Sequence, residues 1–330
     1  MVRKYERYDG DFQIPADMFV TVKECGNITE IKYVSRRNTE PYILRVDKDH
    51  YIRLKDETGE LLEIQHNNNR SEDTQSVKRS LERLRDYINT NVKDVEYCRW
   101  VTFTYADNMR DSKRLVKDYQ EFNRLCRKRY GHYEYITAAE PQGRGAWHLH
   151  AVLIFDTPAP FMENSTVRKM WGQGFVNIRR LNKIDNLGLY LTAYLADMEV
   201  KDVEKVIDEI DETKLRNICK VEVIDENGRK RKKAIVKGAR LSLYPSGFHL
   251  YRISRGIKKS VVNLMTNEQA ETLVTGYAKI YENTVRISDE IRNFKIVTNK
   301  RVFNRNPQAM TFLKGGNDDE SKTNCNNADY

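Results

Sequence analysis

Apolar and polar residues alternate with period two through FVTVKE, ITEIKYV, YILRV, YIRLKD and LLEIQ, all between residues 19 and 65. Such alternation is the mark of half-buried strands. Gly26-Asn27 and Gly59 break the series, so residues 1–66 are expected to form a small β-rich N-terminal module. Residues 67–76 (NNNRSEDTQS) read as a polar linker, and Val77, Leu81, Leu84 and Ile88 then fall at helical spacing. Residues 67–98 are therefore assigned as linker and helix.

From Arg99 the pattern becomes mixed. RWVTFTY reads as a strand, residues 112–130 as a basic amphipathic helix with Leu115, Tyr119, Phe122 and Cys126 on one stripe, and EYITAAE and WHLHAVLIF as two strands joined by a short loop. A helical turn at 167–171, the strand FVNIRRL and a helix over 186–198 follow. This order predicts an α+β unit over residues 99–200, an antiparallel sheet backed by helices. Residues 201–260 are read as a mixed-charge helical insertion followed by a basic segment. Residues 261–314 are assigned as a C-terminal helical region and 315–330 as a polar, disordered tail.

Chemistry enters at EPQGRGAWHLH. His148 and His150 open a strand two residues apart, so both imidazoles face one side while Leu149 points into a core. With Glu140 eight residues before His148, they offer two nitrogens and a carboxylate. Such a set leaves open positions on an octahedral Mg2+ or Mn2+ ion, with Zn2+ the second choice; a hydrogen-bonded structural pair is the other reading. In the helix over 186–198, Leu191, Leu195 and Met198 lie on the buried stripe, while Tyr190 and Tyr194 sit one turn apart on its flank. The two phenols either reach a site over the sheet or cover the rim of a core.

Charge narrows the choice of partner. The chain carries a net charge of +9, which favours a polyanion. Between residues 227 and 260 there are eleven basic residues and no acid, interleaved with Tyr244, Phe248 and Tyr251. Arg229, Lys230, Arg231, Lys232, Lys233, Arg240, Arg252 and Arg255 are accordingly assigned to DNA backbone contact, with the aromatics stacking on bases. No apolar run approaches the ~20 residues of a membrane span, and the five cysteines lack CxxC spacing. A soluble, cytoplasmic protein with no membrane partner is expected.

Taken in order, WVTFTY, the acid before HLH, WGQGFVNIRR, YLTAY and YPSGFHLYRISRG resemble the motifs of HUH endonucleases. The likeness is strongest to the rolling-circle replication initiators of bacterial plasmids and single-stranded DNA phages, and it covers residues 77–260. It implies a ferredoxin-like or RRM-like core, a metal on Glu140, His148 and His150, and a tyrosine that attacks single-stranded DNA at an origin to leave a 5′-phosphotyrosine. Tyr190 takes the place of the first nucleophile and Tyr194 that of the second. One departure is Ala193, where many relatives carry lysine. The chain has no GxxxxGK[ST], so unwinding is expected to fall to a host helicase. A relaxase or transposase of the same chemistry, or a non-catalytic RRM-like nucleic-acid binder, are the alternatives.

Overall fold

The computed structural model describes residues 4–8, 12–36, 43–54, 59–64, 66–181, 195–204, 206–210, 215, 218–224, 230–289 and 294–306. Two compact units divide the chain, one drawing on residues 1–67 and 261–307, the other holding residues 68–260. The alternating N-terminal segments become β1 (Lys4–Tyr8), β2 (Phe19–Cys25), β3 (Ile28–Val34), β4 (Ile43–Arg45), β5 (His50–Arg53) and β6 (Leu61–Glu63). The last three form a small antiparallel sheet of their own.

The second unit starts with α1 (Thr74–Asn91), capped by Asp73, whose carboxylate accepts from the Ser76 amide at 3.1 Å. Val77, Leu81, Leu84 and Ile88 are its buried stripe. After it come β7 (Cys98–Tyr105), α2 (Ser112–Tyr130), β8 (Glu134–Pro141), β9 (Trp147–Ile154), α3 (Asn164–Trp171) and β10 (Gly174–Arg179). The unit closes with β11 (Met198–Glu199), α4 (Val200–Val203), β12 (Ile218–Ile224), β13 (Lys230–Val236) and β14 (Tyr251–Ile253).

Strands of the main sheet lie in the order β10-β7-β9-β8-β14, every neighbour antiparallel. From β7 to β10 the succession is β-α-β-β-α-β, with the later strand β9 inserted between β7 and β8, a split β-α-β arrangement. One face is apolar. Phe103 lies directly across from Leu149, and its ring meets Phe122 of α2 at 4.6 Å and Trp171 of α3 at 4.9 Å. Because strand side chains alternate, the polar residues between them all project from the opposite face.

Gly174 sets the entry to the edge strand β10. Its φ is +155°, and a Cβ there would stand 2.4 Å from the Thr104 carbonyl oxygen and 2.5 Å from the Ala106 nitrogen. Only glycine lets β10 close on β7 at this point.

Two expectations about later segments are corrected. The helix expected to run to residue 198 does not reach it: residues 195 and 196 form a bend and Met198 begins β11, a strand that pairs with β13. Within 201–217 the described helical pieces are short, the end of α4 and a single 3-10 turn at Ile207–Glu209. Residues 261–306 are not a helical region. They form β15 (Val261–Thr266), one short helix α5 (Asn267–Leu273), β16 (Ala278–Asp289) and β17 (Phe294–Asn304).

Those strands return to the first unit. Its six-stranded sheet runs β1-β16-β17-β3-β2-β15, antiparallel throughout, so the N-terminal module is completed by the far end of the chain. Val20, Val22, Ile31 and Phe303 of the sheet and Ala270 and Val274 at α5 make its core. The protein is thus a mixed α/β chain of antiparallel sheets with few helices. No helix among the described residues is long and apolar enough to cross a membrane.

Candidate metal centre

Register brings the three predicted donors together. Glu140 on β8 lies across from His148 on β9, and His150 follows two residues later on the same face. Their ligand atoms all fall within 4.8 Å of one another, so this group could hold a metal ion. Glu140 Oε2 is 2.9 Å from His150 Nε2, and the two imidazole centroids are 5.6 Å apart.

Strand β7 supplies the floor. Thr104 pairs with His148 and Thr102 with His150, placing the Thr104 hydroxyl 2.5 Å from His148 Nε2 and the Thr102 hydroxyl 3.3 Å from His150 Nδ1. Trp100, one step along the same face, stacks on the His150 ring at 5.3 Å. The Gln142 amide donates to His148 Nε2 at 3.1 Å. These partners orient both rings, as the outer shell of a metal site does.

Arg240 was expected to meet a DNA backbone. Instead it is buried, 8% exposed, with Nη1 2.9 Å from Glu140 Oε1. The guanidinium also donates to the Asp197 carbonyl at 2.9 Å and to the Pro141 carbonyl. Each Glu140 oxygen therefore has its own partner, Arg240 on one and His150 on the other. A basic residue in a basic row gives no one-dimensional sign of this; the only signal was Gly238 just ahead, which starts the 3-10 turn Ala239–Leu243 at φ +71°.

Electrostatics follow from the burial and these partners. For Glu140, burial works to raise the pKa, but the Arg240 charge, the hydrogen bond from His150 and the charges of both histidines outweigh it and hold the carboxyl at about 2. Burial pushes His148 down to about 4; Glu140 opposes this, while His150, Arg240 and Arg144 add to it. At neutral pH the site thus presents a carboxylate and a neutral imidazole, the protonation states a metal requires.

Both folded values lie below those of an unfolded chain, so both groups stabilise the fold fully above pH 6.5. The His148 contribution is lost as pH falls from 6.5 to 4, and that of Glu140 below 4.5. Chelated protein is expected to lose up to about 3 kcal/mol between pH 6.5 and 4, measured by urea unfolding. His148→Gln should flatten that loss; an equally steep decline in the variant would contradict the assignment.

The other predicted positions are placed less uniformly. Tyr190 and Tyr194 lie outside the described residues, as does Arg229. The backbone of residues 230–233 runs in β13, and their side chains are outside what is described. Arg255 is exposed. Arg252 is exposed too, but pairs with Thr137, which puts it on the sheet face away from Glu140 and corrects its assignment to a strand bound at the centre. Tyr244 cannot stack on a base, being 0% exposed, and Phe248 stacks on Trp147 at 4.6 Å.

Residues 98–199 match the family model of the replication-associated protein ORF2. The matched stretch runs from β7 to β11 and contains all three donors as well as Trp100, Thr102 and Thr104. It supports a role as a replication initiator. No curated protein and no solved structure gives a match.

Proposed function

We propose that the chain is a rolling-circle replication initiator, a metal-dependent enzyme that nicks and rejoins single-stranded DNA through a tyrosine. The observation that carries this reading is the Glu140, His148 and His150 cluster, lying inside the stretch that matches a replication-associated family. The split β-α-β sheet supports treating this unit as an HUH-type core.

One carboxylate and two imidazoles fit Mg2+ or Mn2+, and Zn2+ as a second choice. A divalent ion held there supplies Lewis-acid polarisation of a phosphate oxygen. The protein's own groups do the rest. Arg240 holds one Glu140 oxygen and leaves the other facing His150, while Thr102 and Thr104 fix the imidazole planes.

The nucleophile is assigned from the sequence to Tyr190, with Tyr194 serving the second transfer. Leu195 directly follows Tyr194, and it is anchored: the Tyr244 hydroxyl lies 3.0 Å from the Leu195 carbonyl and 2.9 Å from that of Ala139, the neighbour of Glu140. The Arg240 amide donates to the Ala196 carbonyl at 3.1 Å. The end of the tyrosine segment is thereby tied to the strand that carries the acid.

In the reaction, the phenol oxygen bonds to the scissile phosphorus, the bond to the 3′ oxygen breaks, and that oxygen takes up a proton. A phenol with a pKa of ~10 costs roughly 4 kcal/mol to ionise at neutral pH, which cationic neighbours must offset. The phosphotyrosine retains the energy of the diester, so a 3′-hydroxyl can reverse the step without ATP. Strand opening is left to a host helicase. The test is a labelled single-stranded origin oligonucleotide incubated with the protein and Mn2+, then run on a denaturing gel. Label that travels with the protein is the expected result; label wholly free of it would sink the reading.

A further inference from the structure

The metal centre lies on a row that crosses the sheet, and the far end of that row is an exposed aromatic. Glu140 on β8 pairs with His148 on β9, His148 with Thr104 on β7, and Thr104 with Phe175 on the edge strand β10. All four project from the same face. Strands in a sheet are about 4.8 Å apart, so Phe175 stands roughly 10 Å from His148 along the row.

Phe175 is 57% exposed, in a position where an alternating strand has no core to fill. Its neighbours in the strand, Val176 and Ile178, pack against the apolar core, whereas Asn177 and Arg179 are exposed on the Phe175 side. The ring is held rather than loose. Arg168 of α3 sits over it at 4.7 Å and donates from Nε to the Gly174 carbonyl at 3.2 Å. Gly174, which no other residue can replace without clash, fixes the backbone just before it.

The charge around the ring is of one sign. Residues 164–181 contain Arg168, Lys169, Arg179 and Arg180 and no acid. An exposed aromatic beside cations on an open sheet face is the arrangement that stacks bases while the backbone is neutralised. Tyr244, Phe248 and Tyr251, which the sequence offered for this purpose, are buried or packed against other rings. Phe175 is the aromatic that remains available on the face of the metal centre.

We infer that Phe175 is a base-stacking platform for the single-stranded DNA substrate, with Arg168 bracing the ring and Arg179 and Arg180 meeting phosphates beside it. This rests on the initiator reading for the identity of the substrate. A strand crossing the sheet has its phosphate at the Glu140 and His148 end and a neighbouring base on Phe175. The platform sets where along the strand the cut falls.

The experiment uses full-length protein in EDTA with a thymidine oligonucleotide carrying one 5-iododeoxyuridine. Ultraviolet cross-linking is expected to map to the peptide that contains Phe175. Phe175→Leu should lose that cross-link and weaken single-strand binding by about fivefold to a hundredfold, while Phe175→Tyr should retain both. Circular dichroism and unfolding midpoints establish that each variant is folded. An unchanged cross-link and affinity in folded Phe175→Leu would overturn the platform even if the wild type cleaves DNA. A Phe175-dependent cross-link in a protein that forms no covalent adduct would instead leave the platform standing and remove the initiator reading.

Discussion

His148→Ala combined with His150→Ala is expected to lower cleavage of a single-stranded origin oligonucleotide by at least about a hundredfold, the scale of losing electrostatic stabilisation at a reacting phosphate. Glu140 retains its pairing to Arg240 in that variant but loses both nitrogen donors. Tight Mn2+ binding should vanish in titration calorimetry, and chelation of the wild type should reproduce the loss of cleavage. DNA affinity should stay within a fewfold, because it is carried mainly by cations that meet phosphates. Undiminished cleavage by the folded double variant would remove the metal centre from the mechanism.

Arg240→Met should be costly for a different reason. It leaves Glu140 buried with one oxygen unpaired, and breaking a buried ion pair from one side typically costs about 3–5 kcal/mol. The change also removes the donors to the Asp197 and Pro141 carbonyls. Urea unfolding of Arg240→Met, Glu140→Gln and the double variant forms a cycle in which the double variant is expected to be less destabilised than the sum of the singles. Additive effects would show that the two side chains do not support one another.

The donors were legible because their signal is local. A His-x-His pair at the start of an apolar strand fixes one face, and the following register decides only which residue stands opposite; the short loop from Pro141 to Trp147 made Glu140 the natural partner. Thr102 and Thr104 share that period-two logic on β7. Arg240 was not legible, since its partner lies a hundred residues earlier and its row of cations looks uniformly solvated. Phe175 was quoted within a motif, yet its exposure depends on β10 being an edge strand. The same limit hid the completion of the N-terminal sheet by β15, β16 and β17, whose partners are separated by more than two hundred residues along the chain.

Covalent capture tests the central claim most directly. Full-length protein is incubated with Mn2+ and a labelled single-stranded origin oligonucleotide, the adduct is digested, and the DNA-bearing peptide is sequenced by mass spectrometry. The account predicts DNA on Tyr190 and loss of the adduct in Tyr190→Phe. DNA on Tyr194 alone, or no adduct from folded, Mn2+-loaded protein, would contradict it.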